Sequence, residues 1–190
     1  MISAQTPPQT VQDYYLSVPE SYFRVGEDKL PFAGSREKRT KAIQTNDGKN
    51  GYLRLETEEW EGYGEVALFK EPQGGIVLGM VLTECAPGCR QSVTFLEYAP
   101  QTTEKWKNVT AAILPKLAKK ALLEIYRVKK AKADEAYTEE DLPVLYVLPR
   151  YGTTVTVTVD PQFTASPIVL AELAWRNGKF IRAEDSTKQD

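Results

Sequence analysis

The side chains of this chain that could do chemistry are mainly carboxylates, because histidine is absent from its 190 residues. That absence excludes the Ser-His-Asp and Cys-His nucleophile systems, imidazole general bases and the usual histidine-containing zinc and iron sites. Two cysteines cannot complete a four-thiolate metal site either. Carboxylate, lysine or tyrosine chemistry, oxygen-ligated metals and binding without catalysis remain, and we favour binding without catalysis.

The densest group of carboxylates occupies one short segment. Its members are Glu56, Glu58, Glu59, Glu61 and Glu65. A glycosidase needs two carboxyl groups facing each other across a cleft at a defined separation, and proximity in sequence does not supply that geometry. Solvated charges at a hairpin end explain the segment equally well. A hydrolase that uses a carboxylate pair, such as one acting on a glycan, is therefore the alternative function.

The segment from Asn46 to Gly51 has the composition of a calcium-binding loop. If Gly51 held the invariant glycine position, the closing bidentate position would fall on Thr57 instead of a glutamate. The segment therefore predicts a turn. The chain also has no nucleophile-elbow, phosphate-loop or dinucleotide-binding motif, so we expect no metal and no cofactor.

Cys85 and Cys89 flank a Pro87-Gly88 pair, which is typical of a type II turn. Such a turn brings the two Cα atoms near bonding range and predicts a disulfide, which a ring this short would make worth about 2 kcal/mol. Free thiols and a redox pair stay open, although the spacing is not the C-x-x-C of thioredoxin. A disulfide indicates an oxidising compartment.

The chain start agrees with export. Residues 1–10 lack the basic and apolar regions of a signal peptide, yet Ile2-Ser3-Ala4 before a polar, proline-bearing stretch has the form of a disordered stub left by cleavage. We therefore expect a secreted or periplasmic chain whose partner is another protein or an envelope component. No apolar window is long enough to span a membrane. The formal charge of −2 gives no general attraction to nucleic acid.

The first part of the chain predicts a helix followed by four strands. Apolar spacing from Val11 to Phe23 indicates a helix that ends near Ser17, with a second turn after Pro19. The stretch from Arg24 to Asn50 is rich in basic residues and predicts a long, partly mobile surface connection. Residues 52–98 then alternate with period two between tight turns, which predicts an antiparallel meander.

The second part repeats this order. A short helix is predicted near Trp106, and the clearest helix of the chain is predicted over residues 116–132. Its predicted apolar stripe comprises Ala118, Ala121, Leu122, Ile125 and Val128. Its lysines predict a solvated face, or contact with an acidic partner or membrane surface. Four more antiparallel strands follow, with an Asn177-Gly178 hairpin turn before the last.

These elements predict an α+β fold with antiparallel sheets and packed helices, arranged as two α-β4 repeats. We expect units at residues 11–115 and 116–183, which could form one compact domain, and a polar tail at 184–190. Residues 76–82, 155–159 and 168–175 are expected to be central strands. In element order the chain resembles the secreted β-lactamase inhibitory proteins, and the resemblance implies a sheet face presented to another protein.

Four residues are predicted to carry such a contact. Trp60, Tyr63, Arg150 and Tyr151 each adjoin a glycine or a turn, where a large side chain can project. Tyrosine, tryptophan and arginine dominate the binding energy of measured interfaces, whereas exposed lysines contribute little. A role in the core is the competing interpretation for the aromatic residues. The predicted function is therefore an exported, non-catalytic binding or protein-interaction module.

Overall fold

The computed structural model describes residues 8–85, 88–129, 137–159 and 167–183. Their helices are α1 (Val11–Ser17), α2 (Arg36–Lys41), α3 (Thr110–Ile113) and α4 (Lys119–Lys129), with one 3₁₀ turn at Glu20–Tyr22. Their strands are β1 (Arg24–Val25), β2 (Asp28–Lys29), β3 (Ile43–Asp47), β4 (Tyr52–Thr57), β5 (Trp60–Lys70), β6 (Ile76–Cys85), β7 (Cys89–Tyr98), β8 (Trp106–Asn108), β9 (Val144–Val147), β10 (Thr154–Val159), β11 (Val169–Arg176) and β12 (Lys179–Arg182). The predicted α+β fold with antiparallel sheets is confirmed.

The strands form one six-stranded sheet, one four-stranded sheet and a small hairpin. The six-stranded sheet has the order β3-β4-β5-β6-β7-β8, the four-stranded sheet has the order β12-β11-β10-β9, and β1 pairs with β2. The first meander therefore has two strands more than predicted. The sequence signal missed β3 because this edge strand is largely polar and only half-buried, and missed β8 because it has three residues. Trp106 begins that strand and not a helix.

The six-stranded sheet carries an apolar core on each face. The first core packs α1 and the β1–β2 region against residues such as Leu53, Val66 and Leu82. The second core lies between this sheet, the four-stranded sheet and α4, and includes Phe95 and Val157. Strand β6 is buried on both faces, which explains its continuous apolar sequence. The three predicted central strands are confirmed as β6, β10 and β11.

Helix α1 is fixed at its start and covered along one side. Thr10 and Asp13 form a capping box, in which each side chain bonds the other's backbone N–H. Val11, Tyr15 and Leu16 are buried, and the helix ends at Ser17 as predicted. The following single turn at Glu20–Tyr22 is also as predicted.

The predicted mobile connection over residues 24–50 is wrong, because it contains four regular elements around a buried arginine. Arg39 is 7% exposed, and its Nε donates to the carbonyl of Ala33 at 2.9 Å. Its Nη1 donates to the carbonyl of Val18, and its guanidinium lies 4.1 Å from the ring centroid of Phe23. These contacts order the segment from within, whereas its basic residues and low apolar content predicted a partly mobile surface connection.

Helix α4 presents a different face to the core from the one predicted. Leu122, Leu123 and Tyr126 are buried, whereas Val128 is 79% exposed. The buried face is rotated by roughly a third of a turn from the predicted stripe. Leu122 and Ile125 of the predicted stripe do pack in the second core, whereas Ala118, Ala121 and Val128 are exposed.

Cys85 and Cys89 form a disulfide at the β6–β7 turn, where they are directly opposite in the ladder with Cα atoms 3.9 Å apart. Pro87 of the predicted turn lies outside the described residues. So do residues 130–132 of the predicted helix, the predicted tail and most of the predicted N-terminal stub. The division of the chain near residue 115 stays a prediction.

Candidate functional site

Side chains of the six-stranded sheet hold β9 and the residue that follows it. The Gln91 amide pairs with both backbone groups of Tyr146: its Oε1 accepts from the N–H at 2.7 Å, and its Nε2 donates to the carbonyl at 2.9 Å. Two residues on, the Leu148 N–H donates to Glu65 Oε2 at 2.9 Å. These hydrogen bonds to the six-stranded sheet therefore fix the point at which the turn at residues 148–153 begins.

This fixed turn carries Arg150. Its Nε donates to Asp47 Oδ2 at 2.9 Å, joining the turn to the end of β3. The Asn50 backbone and side-chain amides donate to Asp47 Oδ1 at 3.3 and 3.0 Å. These hydrogen bonds, with Asn50 contributing most and Arg150 next, lower the pKa of Asp47 below its ordinary value. Asp47 is therefore anionic at neutral pH, and it restrains the guanidinium from one side.

Tyr151 projects from the same turn into solvent. Its exposed fraction is 69%, and among the large apolar side chains of the described residues only Val128 is also classed as exposed. The Arg150 guanidinium lies 5.5 Å from the centroid of the Tyr151 ring. Gly152 follows at a φ of +77°, a conformation that glycine adopts without strain and that reverses the chain after Tyr151. We call Asp47, Asn50, Arg150 and Tyr151 the Arg150–Tyr151 surface.

Tyr63 lies on the same face of the six-stranded sheet as Asp47. It lies two residues before Glu65 on the same face of β5, and its ring is covered by the guanidinium of Arg54 at 3.9 Å from the centroid. Arg54 also bonds Glu56 at 3.0 Å and Glu65 at 3.5 Å. Arg54 thus contacts both Tyr63 and Glu65, and Glu65 in turn bonds Leu148 at the start of the 148–153 turn.

Glu65 is a buried carboxylate, 5% exposed, whose two oxygens both face protein donors. The Tyr52 hydroxyl donates to Oε1 at 3.1 Å, and the Leu148 N–H donates to Oε2. Burial raises the pKa of Glu65, and the hydrogen bonds from Leu148 and Tyr52 and the charge of Arg54 oppose that rise. Burial also raises the pKa of Tyr52. This carboxylate connects the two sheets, through Tyr52 on β4 and Leu148 just after β9.

The other acids of the segment lie apart from Glu65. Glu56, Glu58 and Glu59 line an open cleft of about 530 Å³ beside the β4–β5 turn, together with Lys38 and Lys41. Glu58 and Glu59 are exposed on that turn. A glycosidase places its two carboxyl groups on opposite sides of the bond that it cleaves, whereas Glu58 and Glu59 are adjacent residues of one exposed turn.

Trp60 does not belong to the predicted surface. It is 6% exposed and packs in the first core, with its ring centroid 5.4 Å from that of Phe32. The sequence pattern placed a turn at residues 60–64, but β5 runs without a break from Trp60 to Lys70. Gly62 lies under the indole, where a Cβ would come within 2.8 Å of Trp60 Cε2. That glycine allows ring packing and does not mark a turn.

Tyr63 therefore shares a sheet face with Asp47, the partner of Arg150, whereas Trp60 is buried in the first core. Sequence reasoning missed Asp47 and Arg54, which position Arg150 and Tyr63. The usable signal was the polar alternate positions of β4, where Arg54 and Glu56 face away from Leu53 and Leu55.

Comparison with known proteins adds the fold and no function. No protein-family model and no curated protein matches the sequence. The chain is similar to a solved domain of an uncharacterized protein from Porphyromonas gingivalis W83, with a TM-score of 0.58 and 15% identity. The match covers 90% of this chain and 96% of that one. At this identity the likeness concerns the α+β fold alone. In the described part of the chain, no helix has the length and apolar character to cross a membrane.

Proposed function

We propose that this chain is an exported, non-catalytic binding module that contacts another protein or an envelope component through the Arg150–Tyr151 surface. The observation that carries the proposal is the 69% exposed Tyr151 beside an arginine held by Asp47 at 2.9 Å. Buried tyrosine and arginine residues contribute most to measured interfaces. A side chain that is already restrained loses less conformational entropy when a partner binds.

The turn that carries these residues supports the same function. It is attached to the six-stranded sheet at Tyr146, Leu148 and Arg150. A contact surface built on such a turn keeps its shape before the partner arrives, which favours affinity.

The state of the carboxylates favours binding over hydrolysis. The buried Glu65 has protein donors on both oxygens, and Glu58 and Glu59 are exposed. A hydrolase would need two carboxyl groups that face each other across a cleft, whereas Glu58 and Glu59 are adjacent residues of one turn at the rim of theirs. Export is supported by the Cys85–Cys89 disulfide, since such bonds persist in oxidising compartments.

Site-specific photo-cross-linking in the native host tests this function. A benzophenone amino acid replaces Tyr151 in one variant and Val128, the 79% exposed matched control, in another. We expect a discrete cross-linked product of one mass from position 151 and none from position 128. Equal melting temperatures would show that both variants are folded. The absence of a product at 151, or the same product from both positions, would contradict the proposed contact.

A further inference from the structure

We infer that Arg150 recognises a carboxylate, so that the partner is a protein that presents an acidic side chain beside apolar ones. The inference rests on the proposed function and specifies its chemistry. Two observations support it: which nitrogens of the Arg150 guanidinium are hydrogen-bonded, and which residues lie around them.

Only one edge of this guanidinium is occupied. Nε bonds Asp47, and the two terminal nitrogens, Nη1 and Nη2, have no hydrogen-bond or ion-pair partner within the described part of the chain. The Arg150 side chain is 49% exposed, whereas that of Asp47 is 13% exposed. The occupied edge is therefore turned toward the protein and the unoccupied terminal nitrogens remain available. Two parallel N–H groups fit the two oxygens of a carboxylate.

The surroundings of Asp47 keep the guanidinium in this orientation. Asn50 Nδ2 donates to both Asp47 oxygens at 3.0 Å, and Arg150 Nε shares Oδ2 at 2.9 Å. Asp47 bonds Arg150 at Nε, so it does not occupy the edge formed by the two terminal nitrogens, where an incoming carboxylate would bind. Lys49 lies beside Asn50 in the turn between β3 and β4 and is exposed. Its positive charge would attract an acidic partner at distances up to about one Debye length.

Tyr151 indicates a protein partner instead of a small anion. A small anion on one half-exposed arginine would be held weakly and would leave the phenol ring in water. A side chain with carbon surface next to the carboxylate covers the ring and gains from its burial. Arg150 and Tyr151 are exposed on a turn, so this surface would meet its ligand as a projection.

The test uses a defined peptide probe and the full chain. An acetylated, amidated Glu-Leu-Glu-Leu-Glu peptide is titrated while NMR records the Arg150 Nε–H and Tyr151 amide signals. A Gln-Leu-Gln-Leu-Gln peptide and inorganic phosphate are titrated separately. We expect the glutamate peptide to bind about tenfold more tightly than the glutamine peptide, as one charge-assisted bidentate contact implies. Phosphate should bind more weakly than the glutamate peptide.

Two arginine variants complete the test. Arg150→Lys keeps the charge and loses the planar pair of donors, so binding of the glutamate peptide should weaken roughly fivefold or more. Arg127→Lys is the matched control, because Arg127 on α4 is 52% exposed and should leave binding unchanged. Equal effects of the two substitutions would overturn the inference.

The remaining outcomes separate the two proposals. Equal binding of the glutamate and glutamine peptides, with a cross-link at position 151, would overturn the carboxylate inference and leave the proposed function standing. Phosphate that binds as tightly as the glutamate peptide would also overturn it, in favour of a simple anion site. Loss of the cross-link at position 151 would remove the proposed function itself.

Discussion

Replacement of Gln91 by alanine should weaken the attachment between the two sheets. The substitution removes the acceptor of the Tyr146 N–H at 2.7 Å and the donor to the Tyr146 carbonyl at 2.9 Å. It also removes a 3.0 Å hydrogen bond to Thr83 Oγ1. A neutral hydrogen bond contributes about 1 kcal/mol net, and a buried partner left unpaired costs more. We therefore expect Gln91→Ala to lower the free energy of unfolding by about 2–3 kcal/mol.

The charged variant Gln91→Glu gives a sharper result. A carboxylate can still accept from the Tyr146 N–H, but it faces the Tyr146 carbonyl with a negative charge and no donor. The loss should be at least as large as in Gln91→Ala, although the side chain keeps its size. A mere packing role would predict that glutamate is tolerated better than alanine.

Urea denaturation followed by circular dichroism measures these differences, and hydrogen exchange of the Tyr146 amide locates them. Gln44→Ala is the matched control, because Gln44 is exposed and its side chain bonds only Glu56 among the described residues. Its effect should stay within about 0.5 kcal/mol. A Gln91→Ala chain as stable as this control, or a Tyr146 amide with unchanged protection, would refute the reasoning.

Three further changes test the two cores and the buried carboxylate. Trp60→Ala should lower the free energy of unfolding by about 3–5 kcal/mol in urea, since it removes a core indole; an unchanged melting temperature would place Trp60 on the surface. Gly79→Ala would put a Cβ 2.8 and 2.9 Å from two phenylalanine rings and should cost about 1–3 kcal/mol, whereas Gly34→Ala, with no atom within 4 Å, should cost almost nothing. The folded-state pKa of Glu65 is raised from 4.5, so on acidification the native chain binds this proton before the unfolded chain does. The contribution of Glu65 to the free energy of unfolding should therefore fall as the pH rises from 4.5 through the raised pKa. Unfolding measured against pH should show that fall, at most about 1.4 kcal/mol per pH unit, in the wild type and not in Glu65→Gln; parallel curves would contradict the assignment.

The strands that could be predicted from sequence are those in which the pattern of apolar residues matches the burial of the strand. β6 is buried on both faces, and β10 alternates valine with threonine, so local pattern and burial agree. β3 could not be found in this way, because an edge strand with half-buried polar residues has no apolar period. Arg39 was placed in a mobile segment because buried arginines are rare, and its partners are backbone carbonyls that sequence does not reveal.

The candidate site was predictable in its exposed members only. Arg150 and Tyr151 lie in a turn next to a glycine, and turn position alone predicted that they project. Asp47, which orients Arg150, precedes it by 103 positions and belongs to the other sheet. Their contact depends on how the two sheets pack, and no local pattern encodes that packing. The prediction for Trp60 was wrong because the glycines that follow it are typical of a turn, but here they lie within strand β5.

The order of strands in the two large sheets bears on when the Arg150–Tyr151 surface forms during folding. Every ladder in the described part of these sheets joins strands that are consecutive along the chain, so each closes a short loop at small entropic cost. The contact between Asp47 and Arg150 closes a far longer loop and needs both sheets complete and docked. We therefore expect the surface to form after the ladders. A partner that binds there would distinguish finished molecules from folding intermediates that already contain every hairpin.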